Sequence, residues 1–313
     1  MRAEPALRLF CLASVVAGRM FFASTAARSQ VRGVYPVGMS ATNSGVTPEA
    51  GITYSNLFVF FSRDEKRDSE GNVVATGQNS IVMDLNSFVW VSKQPIRLFG
   101  GAVFSASVSL PVANNSLTSD LMGPLSGGGG FADSFYQPLI LGWRKRRADI
   151  RAIYGFLAPT GGFAAGGNNN VGSGYWTSVL SSGQTIYLTE NKMTALSAFE
   201  MYEFHGTQQG TMIHPGQTFD LDYSLTQAFP LQGNLRLQLG LVGYGQWQTT
   251  DKHGPTITPE QAAAHYKVNG LGFAANAIFP ERNWSVGVKY FHEFACRSTY
   301  QGYTLQISGA ITF

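Results

Sequence analysis

The stretches of alternating polarity in this chain are joined by connections that obey a parity few architectures can satisfy. From Gly51 onward about twelve candidate strands can be marked. Connections after odd-numbered strands are long or polar: 62–78, 111–133, 159–173, 205–217, 251–265 and, shorter, 295–301. Those after even-numbered strands are tight: Ser92 to Ile96, Lys145 to Ala148, Thr189 to Asn191, Pro230 to Gly233 and Pro280 to Asn283. A soluble sandwich has no reason to keep such a rhythm. A transmembrane barrel does, with short turns on one side of the membrane, long loops on the other and an even strand count. The parity places both ends of the strand array on the short-turn side.

The strands themselves carry the period of two expected when side chains alternate between faces. Near the end, Tyr303, Leu305, Ile307, Ile311 and Phe313 share one parity, interrupted by Gly309, and Thr304, Gln306, Ser308, Ala310 and Thr312 share the other. Tyr303 and the terminal Phe313 look like the assembly signal by which a closing strand engages a barrel-assembly machinery. Phe219, Leu221, Tyr223, Leu225 and Phe229 oppose Asp220, Asp222, Ser224 and Thr226. Leu235, Leu237, Leu239 and Leu241 oppose Arg236 and Gln238. Lipid offers backbone amides no partner, so such a sheet must close on itself. The expected fold is all-β, a transmembrane antiparallel β-barrel of about 12 strands, or alternatively 14, spanning 51–313. Phe61, Trp90, Trp143, Trp247, Trp284 and Tyr303 fall near strand ends, where aromatic belts form.

Composition agrees. Charged residues are 13% of the 313, against about 25% in ordinary soluble domains. Mean hydropathy is nevertheless close to zero, and nothing past the leader approaches the ~18 unbroken apolar residues of a spanning helix. Residues 1–27 have the build of an export signal: Arg2 and Arg8, an apolar stretch Leu9 to Ala17, and small residues from Ala23 to Ala27. Arg19 interrupts the apolar part. Removing Arg2, Arg8, Arg19 and Glu4 turns 22 basic and 19 acidic residues into 19 and 18, a net charge of +1. No polybasic face remains to engage nucleic acid. Cys11 leaves with the leader, and Cys296 alone forms neither an intrachain disulfide nor a metal knuckle. Residues 28–50, with Gly33, Pro36, Gly38, Gly45 and Pro48, read as an amino-terminal segment that either hangs in the periplasm or enters the barrel as a plug.

No motif announces chemistry. Leu125 to Phe131 and Gly166 to Asn170 are glycine-rich but lack the Gly-Lys-Ser/Thr of a phosphate loop, and read as flexible external loops. His205, His214, His253, His265 and His292 do not have zinc-site spacing, and no Gly-x-Ser-x-Gly elbow is present. No metal or cofactor is expected. By parity the lumen receives Arg151, Glu200, Asp220, Asp222, Arg236, Gln238, Gln246 and Lys289, either as a bracing charge network or as a polar track for a solute. Tyr175, Trp176, Tyr202, Glu203 and His205, near the outer ends of two strands, are a candidate access site, or else girdle and loop anchors.

Several ordered segments resemble a known family. They are Tyr136-Gln137-Pro138-Leu139-Ile140-Leu141-Gly142-Trp143, Tyr154-Gly155-Phe156-Leu157-Ala158-Pro159-Thr160-Gly161, Asn170-Val171-Gly172-Ser173-Gly174-Tyr175-Trp176, Tyr202-Glu203-Phe204-His205-Gly206, Pro215-Gly216-Gln217-Thr218-Phe219 and Gly243 to Asp251. In order and spacing the chain resembles, over roughly 130–313, the outer-membrane transporters named for the MetA pathway of phenol degradation. The resemblance implies a barrel in the Gram-negative outer membrane and uptake of aromatic or other small hydrophobic solutes. The alternatives are a structural or surface-interaction barrel with a filled lumen and, more remotely, a lipid-modifying barrel enzyme.

Overall fold

A computed structural model describes residues 32–119, 123–167 and 169–313. The expected leader at 1–27, with Cys11, lies outside the described residues, as do positions 28–31, 120–122 and 168.

Among the described residues thirteen strands form one antiparallel sheet: β1 (Gly51–Arg67), β2 (Val73–Ile96), β3 (Ala102–Ser119), β4 (Gly123–Phe131), β5 (Ser134–Arg144), β6 (Ala148–Ala158), β7 (Thr177–Tyr187), β8 (Thr194–His205), β9 (Thr218–Pro230), β10 (Arg236–Gln248), β11 (Lys267–Phe279), β12 (Trp284–Arg297) and β13 (Tyr300–Thr312). β1 pairs with β13 from Thr53↔Thr312 to Lys66↔Tyr300, and β2 pairs with β3, so the sheet closes. Twelve strands make the barrel. The thirteenth, β4, is added to its rim against the distal part of β3, from Val112↔Phe131 to Ser119↔Gly123, while β5 takes the proximal part.

The stretch expected as a loop at Leu125–Phe131 is therefore largely a strand. Glycines leave no side-chain period to read, and the overhanging end of β3 supplies the hydrogen-bonding partner. β1, β2 and β3, at 17, 24 and 18 residues, stand well above the strands of 11 to 14 residues around the rest of the wall. The short helix α1 (Pro259–Ala263), closed by a capping box on Thr258, lies in the connection between β10 and β11.

Alternation sorts the side chains. On β13, Thr304 and Gln306 are buried while Ile307 is exposed. On β9, Asp220, Asp222, Ser224 and Thr226 are buried, and Tyr223 and Leu225 face outward. Aromatic pairs mark two levels outside: Trp90–Phe104 and Phe279–Trp284 toward the short turns, Tyr290–Tyr303, Phe219–Trp247 and Phe156–Trp176 toward the long loops. Phe61 does not join them. It is 6% exposed and points inward with Leu57 and Val59.

Polar groups interrupt the greasy exterior in places. On β1 and β2, the Tyr54 hydroxyl donates to Asn86 Oδ1 at 2.6 Å, and Asn56 donates to Asp84. On β7 and β8, Glu200 accepts from Ser182 Oγ at 2.8 Å and Gln184 Nε2 at 3.1 Å.

Candidate functional site

The lumen is occupied by the chain's own amino-terminal segment. Residues 32–50 run from the long-loop end to the short-turn end, and the barrel wall holds them at successive levels. At the top, Arg32 is paired with Glu293 through Nη1–Oε1 at 2.5 Å and Nη2–Oε2 at 2.8 Å, and also donates to the Tyr300 carbonyl at 2.6 Å. Glu293 further accepts from the Tyr244 hydroxyl at 2.9 Å. Next, Gly33 N donates to Gln246 Oε1, and the amides of Val34 and Tyr35 donate to the two oxygens of Glu203 at 3.0 and 2.7 Å.

Midway, Asp222 takes three donors from the segment: the Tyr35 hydroxyl at 2.6 Å, Gly38 N at 2.8 Å and Ser40 N at 3.0 Å. Lys289 Nζ donates to the carbonyls of Gly38 and Met39 at 2.8 and 2.7 Å, and Gln306 Nε2 donates to Val37 O. Lower down, Asn43 and Gln238 exchange amide hydrogen bonds, Arg151 Nε donates to Ser44 O at 2.8 Å, and Gly45 N donates to Thr185 Oγ1. At the bottom Arg144 donates to the carbonyls of Thr47 and Pro48. A non-repetitive backbone leaves its amides and carbonyls unpaired, and a buried unpaired group is costly. The wall's polar side chains supply those partners.

Apolar contacts complete the seat. Tyr35 stacks on Phe199 at 5.5 Å, and Val37 and Ala41 are buried among wall residues that include Met201, Val242 and Phe291. Gly38 has φ +81°, and a Cβ there would meet the Phe291 ring at 2.7 Å. Positive φ and the close ring together require glycine.

The residues expected in the lumen are thus distributed as follows. Arg151, Asp220, Asp222, Gln238, Gln246 and Lys289 point inward; five of them hold the segment directly, and Asp220 accepts from Gln246 at 2.7 Å. Arg236 has inward parity but sits exposed at the short-turn mouth. Glu200 lies on the outer face, because β8 turns Phe199, Met201 and Glu203 inward. Charge suggested a lumen position, but the plug gives this part of the lumen apolar residues to bury.

The five access-site candidates divide. Tyr175, Glu203 and His205 are buried and converge, with the rings of Tyr175 and His205 5.2 Å apart and His205 Nε2 3.2 Å from Glu203. Trp176 and Tyr202 lie on the other face, Trp176 at 56% exposure and Tyr202 with its hydroxyl 2.8 Å from Thr249 Oγ1. His205 also contacts Thr177 and Thr218. In the loops above, His214 and His253 stack at 5.4 Å across a two-way backbone bridge. Partial burial and the neighbouring His253 and His205 hold His214 below the ordinary histidine range. Among the described residues no His/Cys/Asp/Glu group could hold a metal.

Above the segment, under the long loops, lies a cavity of 390 Å³. Its floor includes Val34, Val37 and Met39, its wall Phe61, Met83, Phe135 and Leu157, and its roof Phe163 and Tyr175. Arg63, Arg32 and Asp133 also line it. Sequence reasoning had passed over Arg32, Arg63 and Glu293. Ending β1 near residue 61 hid Arg63, and Glu293 lay within the expected strand of Trp284 but was not singled out; the parity of each strand turns both inward.

Comparison with known proteins completes the description. Among curated protein sequences none matches. An outer membrane channel from Pseudomonas putida F1 is similar in structure, with a TM-score of 0.68 at 12% identity, covering 87% of this chain and 98% of that one. The β domain of the Bordetella autotransporter BrkA gives a TM-score of 0.49 at 11% identity over 85% of this chain and 100% of that one. The sequence model described as "Putative MetA-pathway of phenol degradation" matches residues 63–308. A closed twelve-strand barrel and a match over most of its length place this chain in that family.

Proposed function

We propose that this protein is an outer-membrane channel through which small hydrophobic or aromatic compounds enter passively. The observation that carries this reading is the cavity under the long loops. It is walled by apolar and aromatic side chains and separated from the short-turn end by a segment held largely through hydrogen bonds rather than by the strand ladder. Such a segment can shift without opening the wall. The exterior, greasy with two aromatic levels, suits an outer membrane. A solute would collect in the cavity and pass when the segment moves aside. No energy source is required, so flux follows the gradient.

The second reading, a structural or surface-interaction barrel, is favoured by the same occupied lumen if the segment never yields. Proteoliposome uptake separates the two. The channel reading expects a small neutral aromatic such as benzamide to enter well above empty-liposome leakage, while a disaccharide does not. Equal leakage with and without protein would leave the structural reading standing.

A further inference from the structure

We infer that the cavity binds a small amphipathic carboxylate, with its headgroup on Arg63 and its apolar body against the floor and wall. This deepens the channel reading above and rests on it for the direction of travel only. Arg63, near the top of β1, lines the cavity, and its Nε is buried without a hydrogen-bond partner. No ion-pair partner meets it among the described residues. The Phe61 ring lies 4.7 Å from its Cζ, and Arg32 and Glu293, themselves paired, stand near enough to act on it through charge. A ring face attracts the cation but accepts no conventional hydrogen bond, so Nε keeps its donor to offer.

The other charges nearby are already committed. Arg32 is neutralised by Glu293. Asp133 accepts from the amides of Gly161 and Ser173, at 3.0 and 2.7 Å. Glu203 accepts from Val34 and Tyr35 and lies beside His205. Among the described residues Arg63 is thus the cavity's cation that no carboxylate pairs or hydrogen-bonds, in a chamber whose floor and wall are largely apolar. A buried donor without an acceptor is costly, and an oxyanion relieves that cost while its hydrocarbon part replaces water along Phe61, Met83, Phe135 and Val37. The volume, 390 Å³, falls within the range of about 300–1,000 Å³ typical of small-molecule sites.

Calorimetry in lipid nanodiscs with benzoate, benzamide and benzylammonium tests the assignment, since the three share a ring and differ in the headgroup. Benzoate is expected to bind about tenfold or more tightly than benzamide, as one charge-assisted hydrogen bond allows, and benzylammonium weakest. Arg63→Met removes the benzoate advantage and leaves benzamide unchanged; Arg63→Lys retains part of it. Equal binding of benzoate and benzamide by the wild-type protein overturns the proposal, with no variant needed. Uptake of the same compounds keeps the two readings apart. Preferential benzoate binding without flux removes the channel and keeps the anchor; flux of benzamide without benzoate preference does the reverse.

Discussion

Asp222 shows how much one side chain can organise here. It is fully buried, and its two oxygens gather Tyr35, Gly38 and Ser40 into the turn at the middle of the lumen. Hydrogen bonds to a charged acceptor contribute about 1.5–3 kcal/mol each. Asp222→Asn keeps the shape, removes the charge and turns one oxygen into a donor facing donors. Amide exchange of residues 35–40 is expected to accelerate about tenfold to a hundredfold, with strand amides on β9 unchanged. Unaltered exchange at 35–40 would show that packing alone holds the segment. The inward placement of Asp222 was legible in the sequence because β9 alternates without interruption. What it binds was not, since its partners are nearly 190 residues away and sit on a segment with no period of its own.

At the level of strands, the wall was legible nearly to the residue where alternation was clean, as in β6 and β9, and poorly where it was not. β4 has no such pattern, and the tops of β1, β2 and β3 run past the point where apolar residues stop. Glu200 shows the limit of reading polarity as direction. Its strand neighbours Phe199 and Met201 are wanted inside by the plug, so the carboxylate goes out, satisfied by Ser182 and Gln184. A charge on the lipid face of a barrel is destabilising, by less than the ~2–4 kcal/mol of a mid-membrane arginine or lysine. Glu200→Gln keeps an acceptor for both neighbours and removes that charge. It is expected to raise stability by about 1 kcal/mol in vesicles, read as a shift in the urea midpoint. A fall in stability would instead mark the carboxylate as paired with something outside the barrel.

For the molecule as a whole, the division of labour is between a backbone ladder that closes the wall and side chains that furnish it. Every barrel strand pairs with two neighbours, and residues 32–50 contribute to none of those ladders. Deleting residues 34–46 should therefore leave a closed barrel. It would also strip Glu203, Asp222, Lys289 and Arg151 of the groups they now hold, and water and ions would take their place. In planar bilayers the shortened protein is expected to carry a steady ionic current where the intact one passes little. If both are equally silent, the loops and not the segment seal the lumen.

The direction in which that segment runs has a consequence for biogenesis. Arg32 is fastened near Thr299 and Tyr300 at one end of the molecule, and Glu49 lies by Arg144 at the other. The strands that clasp it, from β5 to β13, are synthesised later than the segment itself. The closed wall has no lateral opening, so the segment is either laid along the axis before β13 zips to β1, like a cord placed in a sleeve before the seam is stitched, or drawn in afterwards through an open end. Once that seam is sewn, the two ends of the sleeve are the routes left to the cord.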